Sequence, residues 1–182
     1  MYDQFKTRAE GVSAEVHRFP TQAAALDFIL GFLRDEGVAD EPKRRAVWAD
    51  CPFLAGIDRQ QLAGITGLHL EVSRERAAEA RIGISQMDWA LADTGTLAQD
   101  ATAIDKRLVS TLPFIHIALV ATSSLLPDMS TLLTSVEPYK PGYIAMVTGP
   151  SRTADIERVL TIGVHGPERL IIIFVDQWGE TN

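Results

Sequence analysis

The chain has 182 residues, 46% of them hydrophobic and 23% charged, which is the makeup of an ordinary soluble globular protein and a length suited to one domain with a real core. A formal net charge of −7 argues against nonspecific nucleic-acid binding, which depends on basic patches, and against an anionic membrane surface. The single cysteine, Cys51, excludes an intramolecular disulfide and any zinc or iron-sulfur site built from several thiolates of this chain.

Met1 to Glu10 is polar, without the apolar core of a signal peptide, and no run approaches membrane-spanning length, so no membrane insertion is expected and the cytoplasm is the default compartment. The whole of 1–182 reads as a single domain, with residues 1–20 as a lead-in and 177–182 as a tail. In that lead-in only Glu15 to Phe19 has the look of a strand. Thr21 is a good N-cap for a helix whose apolar positions are Ala25, Phe28, Ile29, Phe32 and Leu33, with Gly37 as its stop. Ala46 to Ala49 reads as a short strand broken by Asp50-Cys51-Pro52, and Cys51 as a small packing residue. A helical turn over Ile57 to Ala63, a strand over Leu68 to Val72 and a helix capped by Ser73 follow. This alternation predicts an α/β fold, a layered sheet with flanking helices.

The middle reads as strand, turn, strand: Ile82 to Ser85, then Met87 to Ala92, then Asp93-Thr94-Gly95-Thr96 as a turn before Leu97 to Gln99. Phe114 to Ala121 is the central strand, buried on both faces apart from His116, whose expected role is a satisfied core histidine. Asp128 to Leu133 is helical, Glu137 to Gly142 a loop, and Leu170 to Val175 the last buried strand.

The stretch from Tyr143 to Pro167 carries most of the functional expectation. Ile144 to Val147 reads as a strand stopped by Gly149-Pro150. Ser151, Thr153 and Asp155 then offer caps to a helix with Ile156, Val159, Leu160 and Ile162 on its apolar face and Gly163 at its end. A helix N-terminus there would present free N–H groups to a small carboxylate or phosphate, and Arg152 would add a fork-shaped cation. Capping alone explains the same residues about as well.

Four pieces in fixed order, Ala92-Asp-Thr-Gly-Thr-Leu97, Phe114-Ile-His-Ile-Ala-Leu-Val120, Thr148-Gly-Pro-Ser-Arg-Thr-Ala-Asp-Ile-Glu157 and Gly163-Val-His-Gly-Pro167, resemble the lactate-utilisation protein C family of LUD-domain proteins. The resemblance runs from about Gly83 to Asp176; the first half matches only in general layout. It implies a fold related to ribose-phosphate isomerase and CoA-transferases. It also implies a role in oxidising L-lactate to pyruvate beside two other subunits, at least one with iron-sulfur clusters. Asp93 departs from the glutamate that family members often carry before Thr-Gly-Thr.

Dehydrogenating a 2-hydroxy acid requires a carboxylate clamp, a base and an electron acceptor. For the clamp the candidates are Gly149, Ser151, Arg152 and Thr153, with Thr94, Gly95 and Thr96 as a second polar loop; for the base they are His165 and Asp93, with His116 a weaker choice. No metal ligands and no cofactor of this chain's own are expected, since neither a dinucleotide fingerprint nor a phosphate loop is present. The resemblance implies that the cluster is held by iron-sulfur partner subunits. Two alternatives are a self-sufficient isomerase or transferase of small molecules and a noncatalytic metabolite sensor.

Overall fold

The computed structural model describes residues 1–136, 142–154, 160–162 and 165–178. The first residues are not a lead-in: α1 (Tyr2–Gly11) turns at Val12 and Ser13 into β1 (Glu15–Thr21). The helix escapes pattern reading because it is mostly polar and buries only Phe5 and Ala9. Thr21 ends β1 and caps α2 (Gln22–Asp35), its hydroxyl accepting from Ala24 N–H at 3.2 Å. Then come β2 (Arg45–Trp48), a 3-10 turn over Pro52–Leu54, α3 (Arg59–Ala63) and β3 (Leu68–His69), the last shorter than the five residues expected. Ser73 caps α4 (Arg74–Glu79) as expected, and the chain passes straight into β4 (Ala80–Gln86).

A hairpin of β5 (Trp89–Leu91) and β6 (Thr96–Asp100) follows, then α5 (Ile104–Thr111), β7 (Ile115–Ala121), β8 (Leu125–Leu126), α6 (Met129–Ser135) and β9 (Ile144–Val147). The helix expected after Gly149-Pro150 is replaced at both described ends by an antiparallel pair, β10 (Arg152–Ala154) and β11 (Leu160–Ile162), with Thr153 opposite Thr161. Asp155, Ile156, Glu157 and Val159 lie outside the described residues, as does most of the loop expected at Glu137 to Gly142. The last strand is β12 (Arg169–Gln177).

Six strands form one wholly parallel sheet in the order β1-β12-β7-β4-β2-β3. A parallel sheet has to be covered on both faces, and the sequence provides for it with near-continuous apolar runs such as Ile115 to Val120 and Leu170 to Val175. One face packs Trp48, Ile82, Ile84, Ile117, Leu119, Ile171 and Ile173 against Ile29 and Leu33 of α2 and Leu62 of α3. The other packs Val16, Ala118, Val120, Ile172 and Phe174 against Phe5 and Ala9 of α1 and Met87, Ala90 and Leu97 of a smaller sheet. That smaller sheet has the order β8-β5-β6-β9. The layered α/β architecture with flanking helices is thus the one expected.

On the second face α5 lies directly on β4. A Cβ on Gly83 would overlap the carbonyl of Val109 in α5, so only glycine lets the helix reach the strand. No helix among the described residues is long and apolar enough to cross a membrane.

Gly83→Ala is expected to lower stability by about 2 kcal/mol or more, since main chain rather than a flexible side chain has to move. Gly31→Ala in α2, where a Cβ meets open space, is expected to raise it by roughly 0.5–1 kcal/mol. Urea denaturation of both variants against the parent checks the pair.

Candidate functional site

The residues singled out in the sequence fall at the amino-terminal edge of the parallel sheet. Ser151 N–H donates to Pro167 O at 2.8 Å, and Glu168 N–H to Phe114 O at 2.8 Å, where β12 and β7 begin. Arg152, exposed, donates to Ser13 Oγ at 3.0 Å just ahead of β1. The N–H expected to greet an anion at Ser151 is therefore occupied by a main-chain carbonyl, and Arg152 stands on a strand rather than at a helix terminus.

The two polar loops do meet. Thr96 and Thr148 share a hydroxyl–hydroxyl bond of 2.7 Å, beside the pairing of Leu97 with Val147. Gly95 (φ +69°) sits against the backbone of Ala9, and Gly149 (φ +75°) against the carbonyl of Val12, so side chains at either position would push away the end of α1. These turns seat the first helix. Thr94 is exposed on the same turn, and the main chain of Asp93 donates to Pro127 O while its Oδ1 is buried without a partner. His165 is exposed, next to the Gly166-Pro167 contact with Ser151, and no described bond joins it to Asp93. The side chain of Thr153 lies outside what is described.

Ligands of open α/β sheets lie elsewhere, outside the carboxyl ends of the strands where neighbouring connections leave in opposite directions. Here that point falls between β2 and β4, because the chain leaves β2 toward β3 at one edge and leaves β4 toward β7 on the other side. A crevice of about 430 Å³ opens at that end of the sheet, lined by Asp50, Cys51, Pro52, Leu54, Ala55, Arg59 and Lys106. Its contributors come from three distant parts of the chain: the turn after β2, the start of α3 and the first turn of α5.

Hydrogen bonds hold this rim together. Gln86, the last residue of β4, accepts from Phe53 N–H through Oε1 at 3.0 Å, fixing the Pro52–Leu54 turn. Its main-chain oxygen accepts from Gln99 Nε2 at 2.6 Å, and the Gln99 Oε1, on a side chain 1% exposed, has no partner. Phe53 is stacked on Trp48 and met edge-on by Trp178 at 5.2 Å. Lys106 Nζ donates to Asp100 O at 3.0 Å, and Asp100 N–H donates to Asp88 Oδ2 at 2.7 Å.

Electrostatics distinguish these groups. Burial pushes the Asp88 carboxyl above its usual range, against the Asp100 N–H and Lys106, which pull it down. Asp100 is held below the usual range, first by the Thr102 hydroxyl and then by the Thr102 N–H. Burial pushes the Cys51 thiol up, consistent with packing and not with a ready thiolate. No group of three or more His, Cys, Asp or Glu among the described residues is arranged to hold a metal ion.

Of the crevice residues only Cys51 was weighed for chemistry from the sequence. Asp50, Arg59 and Lys106 of the lining carry no motif, nor do Gln86 and Asp88 in the hydrogen bonds beside it, and what unites them is strand order. His116 is fully buried on β7, where its Nε2 and Ser85 Oγ share a bond of 2.9 Å across to β4. It lies inside the sheet, away from both loci.

The family model for the LUD domain matches residues 2–175. A Lactate utilization protein C of an Exiguobacterium species is 38% identical over 111 residues, covering 58% of this chain and 48% of its own length. One from Halalkalibacterium halodurans is 38% identical over 116 residues, covering 59% and 50%. The chain thus spans about half the length of the curated relatives it matches. A crystal structure of a DUF162 family protein from Deinococcus radiodurans superposes with a TM-score of 0.60 at 21% identity, over 96% of this chain and 95% of that one. That likeness is one of fold.

Burial alone pushes the His116 imidazole down to about 4 from an ordinary value of 6.5, so it is neutral in the folded chain at neutral pH. The unfolded chain takes up this proton first as pH falls. The contribution is therefore whole above pH 6.5, declines between 6.5 and about 4 and is lost below, a total on the order of 3 kcal/mol. Proton NMR titration is expected to show one imidazole neutral down to about pH 4, and His116→Gln to remove that share of the slope of stability against pH. An imidazole set that titrates wholly near 6.5 contradicts the assignment.

Proposed function

This chain belongs to the LUD domain family, and from that premise we propose that it takes part in lactate utilisation as a subunit without an iron-sulfur cluster, binding a small carboxylate at the carboxyl end of its sheet. The observation that supports this best is the pairing of Arg59 and Lys106 around one crevice at the topological switch point. Neither cation has a salt-bridge partner among the described residues, whereas Arg18, Arg44, Arg45, Arg76, Arg81 and Arg169 all do. A guanidinium and an ammonium lining one crevice of a chain with net charge −7 favour an anion in that place.

The residues divide the work. Arg59 offers planar, paired donors that suit a carboxylate. Lys106, with one of its three protons committed to Asp100 O, keeps two for the ligand. Pro52, Leu54 and Ala55 supply an apolar wall for a short carbon chain, and Gln86 keeps that wall in position. The electrons released by a 2-hydroxy acid need an acceptor; one cysteine cannot hold an iron-sulfur cluster, and on this reading an iron-sulfur partner supplies the acceptor. This chain's own share is to select and orient the acid.

The purified chain is expected to gain thermal stability with L-lactate, in proportion to the logarithm of ligand concentration above Kd. Arg59→Met with Lys106→Met should abolish the gain, with the melting temperature of the free chain lowered only slightly by loss of the Lys106 bond to Asp100 O. Growth on L-lactate is expected to be lost on deletion and restored by the parent chain only. A doubly substituted chain that still binds lactate overturns the assignment of the crevice, and undiminished growth overturns the role.

A further inference from the structure

A second cavity opens beyond the carboxyl ends of two neighbouring strands, β7 and β12, which run side by side with Ala121 opposite Val175. Its volume is about 460 Å³, and Ser123, Asp176, Gln177 and Trp178 line it. None of these four residues lines the crevice of Arg59 and Lys106. Ser123 comes from the turn that follows β7, Asp176 and Gln177 from the end of β12, and Trp178 from the residue beyond it.

Two of the four are held in place by groups outside the lining. Asp176 accepts through Oδ1 from Arg18 Nε at 2.8 Å and from Thr122 Oγ1 at 2.7 Å, and its Oδ2 makes no hydrogen bond among the described residues. Arg18 is itself set over the ring of Tyr2, 4.9 Å from the centroid. These bonds, that of Arg18 first, hold the Asp176 carboxyl below the usual range, so it is ionised at neutral pH. Trp178 is half-buried, its indole met edge-on by Phe53 at 5.2 Å.

Charge narrows the class of ligand. A cation at Asp176 would also face the Arg18 guanidinium, which already balances this carboxylate, and an anion would face the carboxylate itself. A neutral molecule rich in hydroxyls meets neither obstacle. Asp176 accepts only, Ser123 and Gln177 both donate and accept, and the indole offers an apolar surface. A sugar ring has the matching distribution, with C–H bonds on its faces and hydroxyls round its rim. The volume lies within the roughly 300–1,000 Å³ of small-molecule sites.

We propose that this cavity is a second binding site, for a neutral sugar ring: one face of the ring rests on Trp178, a hydroxyl donates to Asp176, and neighbouring hydroxyls bond with Gln177 and Ser123. It goes beyond the carboxylate reading of the crevice and does not depend on it.

The test titrates the full chain with D-glucose, D-galactose and D-ribose, and with choline as a cation of similar size, by calorimetry and by tryptophan fluorescence. At least one sugar is expected to bind saturably and to change the fluorescence, and choline is expected not to bind. Trp178→Phe should remove the fluorescence change while calorimetric binding persists. Asp176→Ala is expected to weaken the sugar roughly tenfold or more, the scale of a hydrogen bond to a charged group. Gln177 is exposed at the end of β12, so Gln177→Ala guards against a folding defect; it is expected to weaken the sugar about threefold. No saturable binding of any of the three sugars, or tighter binding of choline, overturns the ligand class. Sugar binding indifferent to both Asp176→Ala and Gln177→Ala, or a fluorescence change that survives in Trp178→Phe, overturns the site.

Discussion

Six parallel strands with apolar side chains on both faces cannot be left open on either side, and this requirement governs the rest of the molecule. One face is closed by α2 and α3 in the ordinary way of α/β proteins. The other is wide, and helices of six to ten residues do not cover it. The chain closes it with α1, α4 and α5 and with the second sheet, whose strands lie between β4 and β12 in sequence. Cover of this kind is fixed by close backbone approaches: Gly83 under α5, and Gly95 and Gly149 under the end of α1. At the amino-terminal edge of the sheet, among the described residues, the N–H groups of Ser151 and Glu168 are taken by the carbonyls of Pro167 and Phe114. The carboxyl edge keeps a crevice.

That division explains which parts were legible in the sequence. Strands such as Ile115 to Val120 announce themselves by unbroken burial, and α2 by a cap, a spacing and a stop. The first helix did not, because two buried residues in ten give no stripe to read. The segment after Gly149-Pro150 misled for a different reason. Ser and Thr cap helices, but Thr is also β-branched and well suited to strands, and Leu160 and Ile162 satisfy a period of two as well as a period near four. Pairing between Arg152–Ala154 and Leu160–Ile162 settles what local preference left balanced.

The crevice was illegible for a reason that no better reading of motifs removes. Positions 50 to 59, 86 to 88 and 100 to 106 become neighbours through strand order alone, and strand order is a property of the whole chain. Conspicuous motifs drew attention to the opposite edge because turn glycines and prolines are the strongest punctuation in a sequence. Asp93-Thr-Gly-Thr and Thr148-Gly-Pro are conspicuous because backbone must approach backbone there, and Thr96 meeting Thr148 is the seam of a sheet before it is anything else. Relatedness detected through such turns reports shared architecture first. The match across residues 2–175 is accordingly firmer for the fold than for any one residue's chemistry.

Asp88 and Asp100 show how one residue type acquires two roles within a few ångströms. Both lie at the carboxyl end of the sheet and are joined by a hydrogen bond of 2.7 Å. Asp100 is solvated and bound twice by Thr102, so its charge is satisfied locally and its main chain is free to organise others. Asp88 is desolvated and bound once, so its charge costs more and a further donor is worth more to it. Two carboxylates with environments this different do not compete for one cation: Lys106 takes the carbonyl of the first and faces the field of the second.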